Sequence, residues 1–333
     1  MNRFLILLSL ISLLLAIFNN VSMTNVGSRN LSVLNKGEGQ VELNGITHWY
    51  KIAGVEHSKA PIVVIHGGPG GNIYNFERTI GPKLEAFAKV IYYEQRGSGR
   101  SASPEDSNAY SIPILVSDLE ILRQRLGLEK IIPLGFSFGG ELALEYALAY
   151  PNHVEKLIVQ APSLGRGKDI GSFFNERMVC VQLYGFLRVA KGDMSLKIRK
   201  IINEKTLSEK RLEKVWEMVD TETVDCFLFH NDKVAKMNRK LWRESGLVNT
   251  GEMFKAIAKQ PRGVPLLNRV HLIRVPTLVI VGLYDRNVGI ESCRDVATLI
   301  PRARLIVFEH SAHFPDMEET EKYAQTVYSF LQE

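Results

Sequence analysis

Cysteine is scarce in this chain: three occur in 333 residues, Cys180, Cys226 and Cys293. An odd number leaves at least one unpaired within the chain, which excludes a disulfide scaffold. Their spacing is not that of metal ligands, so they read as small buried apolar residues. Charge of one sign is lacking too. The 41 basic and 36 acidic residues leave a net charge of +5 with no long block of either sign, and a surplus without clustering argues against nucleic-acid binding. There is no internal repeat, which excludes a solenoid. With 45% hydrophobic and 23% charged residues the composition excludes a disordered, collagen-like or coiled-coil protein. The length allows one large domain or two modest ones. Either buries a core sufficient without disulfides, since a domain near 300 residues removes about 75% of its unfolded surface from water.

Long apolar runs are missing except at the N-terminus. Met1 to Arg3 gives a short positive start, Phe4 to Phe18 is broken only by Ser9 and Ser12, and Asn19 and Asn20 end the run. This is the layout of a signal peptide, and it is short for a spanning helix, which needs about 20 apolar residues. Ser22 and Thr24 are the small residues near a cleavage point, without an A-x-A. The expectation for residues 1–24 is export, secreted or periplasmic. A leader left uncleaved would instead tether the protein to a membrane.

From residue 40 onward strands alternate with helices. Val41 to Val55 holds two strand-like stretches around Asn44-Gly45, a dipeptide suited to a type I′ hairpin turn. Short runs rich in β-branched residues follow: Ile62–Ile65, Val90–Tyr93, Ile131–Leu134, Leu157–Val159, Leu278–Val281 and Leu305–Phe308. Most are too continuous to be half exposed, as expected of strands covered on both faces by helices. Ile112–Leu126 and Leu142–Tyr150 have helical apolar spacing. The expected fold is α/β, a mostly parallel sheet flanked by helices. Between residues 163 and 274 the strands stop, and the spacing of Ile198, Ile201 and Ile202 and of Leu212, Val215, Trp216 and Val219 is helical. This predicts a helical cap at 163–274 inserted into a core of residues 40–162 and 275–333.

The chemistry sits at strand ends. Gly135-Phe136-Ser137-Phe138-Gly139-Gly140 follows a strand and opens a helix, the context that makes G-x-S-x-G a nucleophile elbow. His66-Gly67-Gly68-Pro69-Gly70-Gly71 ends an earlier strand, and its glycines let backbone N–H groups approach a ligand. It lacks the lysine and serine of a phosphate loop. An oxyanion hole on this plan uses the N–H of Phe138 and one from the glycine loop, for which Gly68 is the candidate. The remaining partners should follow in the order acid, then histidine. Asp285 lies just past Leu278–Val281 and His313 just past Leu305–Phe308. Both therefore stand at carboxyl ends of strands, where open α/β sheets bind ligands. His310 is the alternative histidine and Asp295 the alternative acid.

These motifs together resemble an α/β-hydrolase of the proline iminopeptidase-like group, whose members share HGGPGG, DQRGxGxS, GxSxGG, a G-x-x-D loop and a late histidine. The second motif here reads Glu94-Gln95-Arg96-Gly97-Ser98-Gly99-Arg100-Ser101, with Glu94 in place of the usual Asp. The likeness covers about residues 40–165 and 270–333. It implies a capped serine hydrolase that works from the free N-terminus of small peptides, without cofactor or metal. Such an enzyme must meet an α-ammonium with an acid, since burying the cation unpaired is costly. Glu252, in Asn249-Thr250-Gly251-Glu252-Met253-Phe254, resembles the N-E-F segment of peptidases in this group, and Glu244 is the second candidate. In some relatives an acid directly follows the catalytic Asp, whereas here Arg286 does. A carboxylesterase or lipase-like hydrolase is thus the alternative, with a small peptide or an ester as partner. A non-catalytic binding protein on the same fold is the third reading; the intact Ser137, Asp285 and His313 argue against it.

Overall fold

The computed structural model describes residues 35–55, 60–164, 173–260 and 263–333. The leader read from residues 1–24 lies outside them. Among the described residues no helix is long and apolar enough to cross a membrane.

Among the described residues eight strands form one sheet in the order β1-β2-β4-β3-β5-β6-β7-β8. The first two, β1 (Gly37–Leu43) and β2 (Ile46–Gly54), are antiparallel. They turn through Asn44 and Gly45, both at positive φ (46° and 74°), as a two-residue primed turn requires. After β2 joins β4 antiparallel, β3 to β8 all run parallel. The central strands β3 (Ile62–Ile65), β4 (Lys89–Tyr93), β5 (Ile132–Phe136), β6 (Leu157–Gln160) and β7 (Thr277–Gly282) are buried almost throughout. That is why their sequences are continuous apolar runs. The last strand, β8 (Ala303–Phe308), is half-buried at the sheet edge.

Helices fill the connections. After β3 come α1 (Tyr74–Arg78) and α2 (Gly81–Glu85), after β4 α3 (Ile112–Arg125), and after β5 α4 (Phe138–Ala149). Ser111 caps α3 by accepting from the Ile114 N–H, satisfying one of the donors a helix start leaves open. Between β6 and β7 the described residues hold α5 (Phe173–Val189), α6 (Gly192–Ile202), α7 (Ser208–Met218), α8 (Thr221–Leu228), α9 (Asp232–Ser245) and α10 (Glu252–Lys259). Finally α11 (Ile290–Leu299) links β7 to β8, and α12 (Pro315–Glu318) and α13 (Thr320–Gln332) follow β8.

Helices α5 to α8 share a core of their own around Val179, Phe186, Ile198, Leu212, Val215 and Phe227. Phe186 stacks on Phe227 at 3.9 Å, and Trp216 meets both edge-on. Fully burying Phe186 and Phe227 contributes about 1.5–3 kcal/mol each. Cys293 is buried in α11, whereas Cys180 and Cys226 in the cap are only half-buried; all three are free thiols.

Candidate active site

The chain leaves β5 through Ser137 at φ 55°, ψ −120°, and enters α4 at Phe138. A non-glycine residue held at positive φ costs of order 1–3 kcal/mol and needs its surroundings to enforce it. They do: the Ser137 N–H donates to Gln160 O at 2.9 Å, and the Ser137 carbonyl accepts from Gly140 and Ser163 at 3.0 and 2.9 Å. Strand and helix cross so closely that a Cβ on Gly135 would lie 2.1 Å from the Gly139 carbonyl oxygen. One on Gly139 would lie 2.0 Å from that of Ile65. The two glycines of G-x-S-x-G are thus dictated by backbone contact.

The glycine loop after β3 passes beside the serine, and a Cβ on Gly67 would stand 3.0 Å from Ser137 Cβ. Its start is fixed by His66, whose Nε2 accepts from the Gln95 N–H at 3.1 Å while its carbonyl accepts from the Gln95 amide at 2.7 Å. Nδ1 then carries the proton and donates to Gly67 O at 2.8 Å. Burial lowers the pKa of His66, so this histidine stays neutral. Glu94, fully buried, accepts from the Arg100 guanidinium at 2.9 and 3.0 Å and from the Ile73 N–H at 3.3 Å. The motif around Glu94 therefore braces the glycine loop. Its carboxylate lies over Gly99, where a Cβ would meet it at 2.3 Å.

Asp285 and His313 come from the loops after β7 and β8. These loops touch at Gly282, where a Cβ would fall 2.0 Å from the Ala312 carbonyl oxygen. Asp285 Oδ2 faces His313 Nδ1 at 3.0 Å, with the carboxylate fully buried. Oδ1 accepts from the Asn287 and Val288 N–H groups at 2.8 and 3.0 Å. Burial opposes ionisation, but the neighbouring His313 and these hydrogen bonds outweigh it and hold the carboxyl below its ordinary value. An ionised Asp285 makes Nδ1 the protonated nitrogen of His313 and leaves a lone pair on Nε2. The loop that carries His313 is bolted to the cap, since the His313 N–H donates to Leu228 O at 2.9 Å.

Ser137, His313, Gly68 and Phe138 all line one cavity of about 1420 Å³ whose far wall is the cap, and Asp285 stands behind His313. His310 is exposed on the loop before it, and Asp295 pairs with Arg177 at 2.7 Å. The two acids expected to face an ammonium are elsewhere. Glu252 is 56% exposed and paired with Lys255, Glu244 is 47% exposed beside Lys240, and neither lines the cavity. Both sit on helix faces turned to solvent, where an i,i+3 or i,i+4 lysine meets them. The acids on the cap wall are instead Glu209, Glu213 and Glu217 of α7, with Asp225 of α8. Their spacing of four residues puts the three glutamates on one helical face, the signal that would have found them. Asp225 is paired with Arg239 at 2.6 Å. Arg286 also stays out of the cavity, its guanidinium donating to Cys226 O at 3.1 Å. Among the polar residues of the lining that sequence reasoning passed over are Gln182, Asn287 and Asp316.

A strained serine between strand and helix, backed by a buried acid–histidine pair on a parallel sheet, defines a hydrolase scaffold. Residues 60–320 match the family model of the alpha/beta hydrolase fold, and the chain belongs to that family. Within it the chain is proline iminopeptidase-like. It is 28% identical to a proline iminopeptidase of Saccharolobus solfataricus over 90% of this chain and 93% of that one. It is 25% identical to one of Thermoplasma volcanium over 89% and 96%. Among solved structures, a proline iminopeptidase-related protein of Thermus thermophilus superposes with a TM-score of 0.69 at 21% identity, covering 90% of this chain and 98% of that one. An esterase of Exiguobacterium antarcticum superposes with 0.62 at 22%, covering 87% and 97%. Both structural likenesses concern the fold alone.

Proposed function

We propose that the chain is a serine hydrolase acting through Ser137, His313 and Asp285, and that its substrates are small peptides from which it removes the N-terminal residue. The observation that carries this reading is the buried Asp285–His313 pair at 3.0 Å in the same site as a serine at positive φ. Ser137 Oγ attacks the scissile carbonyl as His313 Nε2 takes its proton, and Asp285 stabilises the imidazolium. The N–H groups of Phe138 and Gly68 receive the oxyanion. His313 then returns the proton to the leaving amine, and water, deprotonated by the same nitrogen, releases the acyl group from Ser137.

The peptidase side rests on two supports. The curated relatives named above are proline iminopeptidases. The cap wall also carries Glu209, Glu213 and Glu217, carboxylates of the kind an α-ammonium needs as it leaves water. The carboxylesterase reading is favoured by one observation, that Glu252 and Glu244 lie off the cavity. Export is proposed on the first 24 residues alone, and detection of the mature N-terminus in the extracytoplasmic fraction tests it.

Fluorophosphonate labelling of wild type and Ser137→Ala tests the nucleophile: label is expected on the first and absent from the second. Hydrolysis of Pro-, Ala- and Leu-p-nitroanilides beside p-nitrophenyl butyrate separates the substrates. Turnover of free but not N-acetylated anilides supports the aminopeptidase, and ester turnover alone overturns it.

A further inference from the structure

The hydrogen-bond partner of His313 Nε2, the nitrogen that must take the serine's proton, is the side-chain amide of Asn287 at 3.1 Å. Asn287 does not act alone. Its Oδ1 accepts from Gln182 Nε2 at 2.7 Å, and its backbone carbonyl accepts from the same amide at 3.0 Å. Gln182 Oε1 in turn accepts from the indole N–H of Trp216 at 3.2 Å. A chain of hydrogen bonds thus runs from Trp216 on α7, through Gln182 on α5 and Asn287 on the acid loop, to the imidazole and on to Asp285.

The direction of this chain follows from its two ends. An indole nitrogen only donates, so Gln182 must offer it oxygen and turn its NH₂ toward Asn287. Asn287 must then present oxygen to Gln182 and NH₂ to His313. At the other end Nδ1–H is committed to the ionised Asp285, so Nε2 only accepts. Both ends require the same polarity, and flipping either amide would set donor against donor. Gln182 is 1% exposed, whereas Trp216 is 36% exposed, and both line the cavity.

An imidazole nitrogen has one lone pair, so the Asn287 N–H and the Ser137 O–H compete for it. We propose that Asn287 is a positioning residue that withholds the His313 lone pair from Ser137, and that the cap sets the strength of this hold through Gln182 and Trp216. A substrate that packs against Trp216 and engages the Gln182 amide loosens Asn287 and hands the lone pair to the serine. The cap then acts on the base as well as enclosing the substrate. This rests on the triad reading above.

The test uses the whole protein as wild type, Asn287→Leu and Gln182→Leu. Leucine keeps the backbone N–H of residue 287 on Asp285 and its backbone carbonyl on the Gln182 amide, and removes the side-chain donor to His313 together with the side-chain acceptor for Gln182. The second-order rate of Ser137 labelling by a small fluorophosphonate is expected to rise about five-fold in Asn287→Leu, the factor for one ordinary hydrogen bond. In Gln182→Leu a smaller rise of about two-fold is expected, because Asn287 keeps its donor but loses its anchor. The ¹⁵N resonance of His313 Nε2, read in histidine-labelled protein, is expected to move toward that of an unbonded lone pair in Asn287→Leu, a change that mere loss of packing would not produce. Labelling no faster than wild type in both folded variants overturns the proposal while leaving the triad standing. An unlabelled wild type removes both.

Discussion

Replacing Asp285 by Asn is the sharpest perturbation of this site, because the structure dictates how the new amide must sit. The carboxylate now receives three hydrogen bonds: two backbone N–H groups at 2.8 and 3.0 Å on Oδ1, and His313 Nδ1 at 3.0 Å on Oδ2. An amide that keeps its oxygen toward the backbone preserves two of these and turns its NH₂ toward Nδ1. The opposite orientation sets NH₂ against two buried donors, each costing about 1–3 kcal/mol when left unsatisfied. The first therefore wins. It forces Nδ1 to accept and moves the imidazole proton to Nε2, which then cannot take a proton from Ser137 and also faces the Asn287 NH₂. The same tautomer error in another triad enzyme lowers kcat about 10⁴-fold, or about 5 kcal/mol of transition-state stabilisation at 1.36 kcal/mol per decade. Steady-state kcat on p-nitrophenyl butyrate, with a thermal melt to establish folding, reads the effect. A folded Asp285→Asn protein within tenfold of wild type would refute the assignment and return the search to another acid.

The remaining expectations follow from burial and close approach. Asp316 is buried near His313, accepting from Gln160 at 2.7 Å, and burial pushes its carboxyl up to about 6. A raised acid contributes stability while protonated at low pH and loses it as pH rises through that value, by about 3 kcal/mol in all. Asp316→Asn should therefore gain on wild type between pH 4 and pH 7.5; parallel denaturation midpoints would contradict this. Gly139→Ala should cost at least the 1–3 kcal/mol usual for overpacking, since its Cβ would fall 2.0 Å from the Ile65 carbonyl oxygen, and wild-type denaturant stability would refute the contact. Glu252→Gln should leave KM for a free amino-terminal anilide within about two-fold, as expected for an exposed ion pair, while the triple change of Glu209, Glu213 and Glu217 to Gln raises it far more than KM for the N-acetylated form. The reverse pattern would return the ammonium site to Glu252.

What was legible in the sequence is what backbone geometry dictates locally. The central strands read as apolar runs because both faces are covered, and the β1–β2 turn read as Asn-Gly because both residues sit at positive φ. Ser137 and its glycines were legible for the same reason, since strand and helix leave no room for a Cβ at Gly135 or Gly139. Asp285 and His313 followed from their positions after late strands, and Gly282 explains why those loops stay together. The cap helices were legible from spacing, but the orientation of their polar faces was not. Motif likeness pointed to Glu252, yet the helix turns that residue to Lys255 and solvent, while an unremarked face of α7 lines the cavity. Gln182 and Asn287 could not be found by motif, because an amide gains its meaning only from what faces it across the fold. The loops that bring Ser137, Asp285 and His313 to one site answer to local sterics, and the helices that wall the cavity opposite them answer to tertiary packing. Variation in this chain's selectivity is therefore expected to trace to α5, α7 and the Asn287 amide before it traces to the strand-end motifs.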